Sequence, residues 1–268
     1  MITDIVSDGC SLVWGQELEN RDNRFVKIIA NSFNTNLHDS SCPGKCNQLI
    51  ATDIVDNVLD LIHNKKIPAE NILVIVNWTF FKRLPYYNSN ADSIESIKFL
   101  DKNIFNRFKN NTNISWITSS YPPLDSKKYD TIKDYYYDHD HLNYLKYHFF
   151  NLLYYVQLFL IANKIKYVFA FAEDGTVNAF LNLKEDKIFK KENNKKVKSS
   201  KRTSIENILK IIDTNYFYLN LNISQYTKMG FNIAPEGHPL ADGHMFFAEE
   251  LIAFIEEKYF EIGIVNDN

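Results

Sequence analysis

The chemistry-bearing residues of this chain stand near its two ends. In "SDGCSLVWG", Ser7 to Gly15, a serine sits between two glycines just after a short apolar run. A serine hydroxyl is a weak nucleophile until a neighbouring base takes its proton, so Ser11 needs a histidine. The sequence has seven. His238, in "PEGHPLADGHMFFAEEL", is the best placed, because the following Pro239 disfavours helix at His238 and holds it in a loop. A serine and an imidazole on loops can perform acyl transfer: the alcohol adds to a carbonyl, the ring carries the proton, and turn amides hold the oxyanion. A carboxylate normally steadies the imidazole. Glu236 is the nearest candidate for that third member; Asp242 reads as an N-cap and Asp8 as a turn residue. His244 reads as a cap or packing residue.

These residues need a scaffold. Ile2 to Val6 predicts a short buried strand. "RFVKIIANSF" has helical spacing, with Phe25, Ile28, Ile29 and Phe33 on one face, and a brief strand is expected near Leu37. A loop broken by Pro43 and Gly44 leads into a helix with Ile50, Ile54, Val58 and Leu61 on one side. Ile72 to Trp78, "ILVIVNW", is a continuous β-branched run, as expected of a central parallel strand buried on both faces. Further strands are expected at Ile114 to Thr118 and in "KYVFAFA". Helices are expected over Leu142 to Asn163, with Phe149, Leu152, Leu153, Val156 and Leu160 inward, and in the final segment, with Phe246, Leu251, Ile252 and Ile255 inward. Alternating strands and helices predict a three-layer α/β/α sandwich around a parallel sheet. Ligands of such sheets bind at the carboxyl ends of the strands, where Ser11 falls. The chain reads as a single domain over 1–268. A tyrosine-rich insertion beginning at "YPPLDSKKY" is a lid candidate, and 184–202 is a flexible basic loop.

A formal charge of −3 gives no drive toward nucleic acid or anionic membrane. No signal peptide is visible, and the longest apolar region, "FFNLLYYVQLFLIA", is too short and too rich in tyrosine to span a bilayer, so a cytoplasmic location is expected. The three cysteines, Cys10, Cys42 and Cys46, fit a reducing compartment rather than a disulfide framework. Cys42 and Cys46 lack a second ligand pair, so no zinc site is expected.

In combination, "GCSLVWG", "CPGKCN", "VNWTFFKR" and "GHPLADGH" resemble the SGNH, or GDSL-like, hydrolase superfamily, in the divergent form common in phage and other viral genomes. The resemblance covers Met1 to Arg83 and Gly230 to Tyr259. Ser11 matches the nucleophile, with Cys10 in place of the family's aspartate. Gly44 matches the second-block glycine, with Asn47 close behind. Thr79 falls near the third-block asparagine, followed by Arg83. His238 matches the last-block histidine, with Pro235 where the family has its aspartate. The resemblance implies a flavodoxin-like sandwich and a cofactor-free serine esterase or deacetylase. Its substrate would be a small-molecule or O-acetyl carbohydrate ester. Ser11 and His238 would form a dyad, or an irregular triad with Glu236. Gly44, Asn47 and Thr79 would serve the oxyanion. From the residues themselves, Arg83 reads either as a partner for a substrate carboxylate or phosphate or as part of a surface salt bridge, and Trp14 and Trp78, which follow strand ends, read either as lining for a sugar cleft or as core residues. Two alternatives stay open: a degenerate member that binds a glycan or other ligand without turnover, and an acyltransferase using the same serine.

Overall fold

A computed structural model describes residues 1–81, 83–87, 116–119, 139–172, 177–178, 180, 200–220, 222, 225 and 229–260. Strand β1 (Asp4–Gly9) is followed by the short helix α1 (Ser11–Trp14), helix α2 (Phe25–Ser32), strand β2 (Asn36–Asp39), helix α3 (Asn47–His63) and strand β3 (Ile72–Trp78). Then come strands β4 (Leu84–Tyr87) and β5 (Trp116–Ser119), helix α4 (His139–Ala162), strand β6 (Lys166–Phe171), helix α5 (Ser200–Ile211) and helix α6 (Ala241–Tyr259).

The fold is α/β, with an all-parallel four-stranded sheet in the order β2–β1–β3–β6. Every residue of β1 and β3 is buried, because helices cover both faces of the sheet. Alternation along β3 divides its side chains between two cores. Val74, Val76 and Trp78 face Ile50, Ile54, Val58 and Leu61 of α3 and Phe149, Leu153, Val156 and Leu160 of α4. Leu73 and Ile75 face Phe25, Val26 and Ile29 of α2 and Phe247, Leu251 and Ile255 of α6. Burial of each such aliphatic side chain stabilises the fold by roughly 1.5–3 kcal/mol. Helices α2 and α6, from opposite ends of the chain, are locked by the Phe25–Phe247 edge contact, with ring centroids 4.9 Å apart. This packing draws the segment before α6 toward the segment after β1.

Several expectations shift in detail. The first strand extends to Gly9 rather than ending at Val6. The expected strand at Ile114 to Thr118 is found as β5, but it pairs antiparallel with β4 in a separate two-stranded sheet rather than joining the parallel one. In α6 the fully buried ring is Phe247, whereas Phe246 is only partly covered. Residues 121–138 of the lid candidate and 184–199 of the basic stretch lie outside the described residues; Ser200 to Arg202 begin α5 instead of continuing a loop.

Candidate functional site

From β1 the chain moves to β2 on one side and then returns to β3 on the other, so strand order reverses between β1 and β3. A crevice at the carboxyl ends of such a pair is where open parallel sheets take ligands. Gly9 and Asn77 are partners in register there. Ser11 and Thr79 each stand two residues further on, just past neighbouring strand ends. The turn into α1 requires glycine at position 9, since a Cβ would run into Val13 Cγ2 and come within 3.0 Å of the Asn77 carbonyl oxygen. Ser11, 7% exposed, opens the single turn of α1, which Gly15 closes in a left-handed conformation, φ 73°.

The chain then folds back, with the Gln16 amide donating to the Ser11 carbonyl at 3.0 Å. Glu17 follows with φ 66°, a conformation that costs a non-glycine residue roughly 1 kcal/mol. It aims the carboxylate at the loop before α6. There, His238 Nδ1 lies 2.7 Å from Glu17 Oε2, and the Glu236 amide donates to Glu17 Oε1 at 3.1 Å. The loop is itself fixed by the Ala234 amide on the His238 carbonyl, 2.8 Å, and the Gly237 amide on the Ala234 carbonyl, 2.9 Å. Burial pushes the Glu17 carboxyl up, but the hydrogen bonds from His238 and the Glu236 amide outweigh it, and its pKa is lowered. Glu17 is therefore an ionised acceptor at neutral pH, and Nδ1 of His238 must carry the shared proton. That leaves Nε2 as the basic nitrogen of the neutral ring; it makes no hydrogen bond among the described residues.

Glu236, nominated by the sequence as the third member, faces elsewhere: its Oε2 accepts from Gln16 Nε2 at 2.8 Å. The carboxylate on the imidazole is Glu17, which sequence reasoning missed. Nothing singles it out among 33 acidic residues, because its partner lies 221 positions away. One ligand atom from each of Glu17, Glu236 and His238 lies within 4.8 Å of the others, a spacing that a divalent cation also accepts.

The loop carrying Gly44 closes over the end of β1. The Cys42 amide donates to the Gly9 carbonyl at 3.3 Å, and Gly44 adopts φ 75°. An ion cluster beneath the loop anchors it. Lys45 Nζ lies 2.5 Å from both Asp8 Oδ2 and Asp53 Oδ2 and donates to the Ser40 carbonyl at 2.8 Å. Lys45 and Asp8 are only 1% and 0% exposed. Asp8 is thus a buried strand residue, not the turn residue expected. Burial pushes its carboxyl up to about 8, against the attraction of Lys45. Burial alone would lower the lysine, but the two carboxylates hold its ammonium above the ordinary range.

Asn47, nominated as an oxyanion donor, uses its amide to clamp the backbone after β3. Its Oδ1 accepts from the Thr79 amide at 2.9 Å, while Nδ2 donates to the carbonyls of Thr79, 3.1 Å, and Phe80, 3.4 Å. Arg83 Nη1 donates to Thr79 Oγ1 at 2.8 Å and to the Lys45 carbonyl at 3.5 Å.

The remaining nominees fall in varied places. Trp78 is fully buried in the core, with Phe149 and Phe169 against it edge-on, so its ring has no surface to offer a sugar. Trp14 is 8% exposed beneath the Arg21 guanidinium, whose carbon lies 3.2 Å from the ring centroid. Asp242 is not the N-cap of α6, a position held by Leu240; it accepts from the amide and side chain of Asn232. His244 is a packing residue, as expected, stacked on Phe25 with Nδ1 accepting from the Phe25 amide. The three cysteines are buried and free. No described helix is long and apolar enough to cross a membrane.

No protein-family profile matches this chain, and no curated protein matches it. Among solved structures, the chain is similar to a Desulfitobacterium hafniense DCB-2 protein assigned to the G-D-S-L family of lipolytic proteins. The two share 10% identity at a TM-score of 0.31, over 94% of this chain and 99% of that one.

Proposed function

We propose that this chain is a serine ester hydrolase of the SGNH type, using Ser11 as nucleophile, His238 as general base and Glu17 as the carboxylate that steadies the imidazole. The observation that carries the reading is the 2.7 Å contact between His238 Nδ1 and Glu17 Oε2. It fixes the tautomer that leaves Nε2 basic, on a loop held against the segment that follows Ser11.

In this mechanism Ser11 Oγ adds to the ester carbonyl carbon as its proton passes to His238 Nε2. The carbonyl π pair moves onto oxygen, where the amides of Ser11 and Gly44 receive it. Glu17 stabilises the imidazolium. Collapse of the adduct expels the alcohol, which takes the proton from Nε2, and water then repeats the sequence to release the acid. No metal or cofactor is needed. The four sequence blocks support placement in the viral-type branch, with a small or O-acetyl carbohydrate ester as substrate.

Two measurements test the reading together: fluorophosphonate labelling of Ser11, mapped by mass spectrometry, and turnover of p-nitrophenyl acetate that Ser11→Ala abolishes. A folded wild type that neither labels nor turns over would be a ligand-binding protein instead. Turnover that switches to acyl transfer when a sugar alcohol is added would make it a transferase.

A further inference from the structure

Glu17, Glu236 and His238 carry more negative charge than their own contacts balance. One oxygen from each carboxylate and one ring nitrogen lie within 4.8 Å of one another. Among the described residues, neither carboxylate has a lysine or arginine partner. Glu17 accepts from the Glu236 amide at Oε1 and faces His238 Nδ1 with Oε2 at 2.7 Å. Glu236 accepts at Oε2 from the neutral Gln16 side chain, and its Oε1 has no hydrogen-bond partner among the described residues. With the ring neutral, the triangle holds two carboxylate charges and no cation. Glu236 is exposed and the other two are half-buried, so an ion can reach the triangle from water.

The donor set selects among cations. An imidazole nitrogen with two carboxylate oxygens suits zinc and its transition-metal neighbours, whereas magnesium and calcium take oxygen ligands. Zinc bonds of about 2.0–2.2 Å put neighbouring tetrahedral donors roughly 3.4 Å apart. The 2.7 Å pair reaches that spacing by opening less than about 1 Å, and a donor at the 4.8 Å limit reaches it by closing about 1.5 Å. The exposed Glu236 side chain can make that movement by changing rotamer, and water completes the fourth position.

We infer that Glu17, Glu236 and His238 form a site for a divalent transition-metal ion of the zinc class, and that the ion silences the enzyme by switching the tautomer of His238. The second half rests on the hydrolase reading above. The ion takes Nδ1, the nitrogen that faces Glu17. A neutral imidazole with a metal on Nδ1 carries its proton on Nε2. The proton that leaves Nδ1 is regained at Nε2, so the ring stays neutral. Nε2 is then a donor and cannot take the proton of Ser11. Glu17 turns from the ring to the ion in the same event.

The test compares wild type, Ser11→Ala and Glu236→Gln, each checked by thermal melting, in metal-free buffer. Ser11→Ala should bind Co²⁺, read by its visible absorption, because the triangle does not include the serine. In wild type, Zn²⁺ should lower kcat for p-nitrophenyl acetate by about tenfold or more, EDTA should restore it, and Mg²⁺ should leave it within about twofold. Glu236→Gln should keep most of the basal rate but need about 10–100-fold more Zn²⁺ for half-inhibition, since losing a ligand costs at least as much affinity as losing a ligand's outer partner. Equal Zn²⁺ sensitivity in wild type and Glu236→Gln, equal inhibition by Mg²⁺, a rate raised by Zn²⁺, or no Co²⁺ binding by folded Ser11→Ala would each overturn the inference and leave the hydrolase intact. A folded wild type that never turns over, yet binds Co²⁺ more tightly than Glu236→Gln does, would overturn the hydrolase and the inhibition with it and keep the metal site.

Discussion

Glu17 Oε2 and His238 Nδ1 meet at 2.7 Å although 221 positions separate them in the chain. The carboxylate comes from the segment just after Ser11 instead of from the residues preceding the histidine. Pro235, which stands where the resemblance would place an aspartate, supplies no acid. A residue near Ser11 in sequence, reaching the opposite end of the chain in space, takes that position.

Replacing Glu17 should therefore be costly. Glu17→Gln retains the size of the side chain but lacks the negative charge that stabilises the imidazolium, and kcat for p-nitrophenyl acetate should fall by about 10²–10⁴-fold. Glu236→Gln, which changes a side chain bonded to Gln16, should cost less than about threefold. Steady-state kinetics near neutral pH check both. EDTA should leave the rate unchanged; a loss restored by a divalent cation would assign Glu17, Glu236 and His238 to a metal instead.

Buried His244 should make the fold acid-sensitive. Burial, with repulsion from His238 and Arg24, pushes its pKa from 6.5 down to about 4. The folded state thus binds fewer protons than the unfolded state between those values. The stability this neutral ring confers is complete above about pH 6.5 and is lost as pH falls toward 4. Urea unfolding of wild type and His244→Gln across that range should show a difference that shrinks on acidification by roughly 2–3 kcal/mol. A difference that stays constant with pH would refute the assignment.

Lys45→Met should destabilise the protein by about 3–5 kcal/mol, because it strands Asp8 in the core without its cation. Adding Asp8→Asn should recover part of the loss, since a neutral amide can be buried there without the ammonium that Asp8 meets. Denaturant midpoints of the two singles and the double measure the coupling.

Gly9→Ala should cost about 1–3 kcal/mol by forcing a methyl group into Val13. Val13→Ala in the same background should relieve the clash and recover stability, as read by the melting temperature. A Gly9→Ala protein as stable as wild type would show that the turn into α1 can open.

Much of the sheet was readable in the chain because its strands are continuous apolar runs and its helices carry one apolar stripe. The β3 run "ILVIVNW" and the Ile50, Ile54, Val58 and Leu61 face of α3 appear as expected. Pairing partners were less legible: the strand at Trp116 has the right residues for a sheet, but local pattern does not reveal which sheet. The polar interior misled in a consistent way. Asp8 and Lys45 read as turn and loop residues because each alone is costly to bury, and only their pairing permits it. Trp78 reads equally as a cleft or a core residue, and the alternation of β3 decides for the core. Glu17 escaped notice because its left-handed turn and distant partner leave no periodic trace.

The closure of β1 and α2 against the loop and helix at the far end of the chain also sets an order of events during synthesis. Ser11, Glu17 and Gly44 leave the ribosome early and wait without the imidazole until translation has passed His238 and α6 has docked on α2. On the proposed mechanism, a nascent chain carries the Ser11 hydroxyl but not the His238 ring, and it would leave esters intact until α6 has docked.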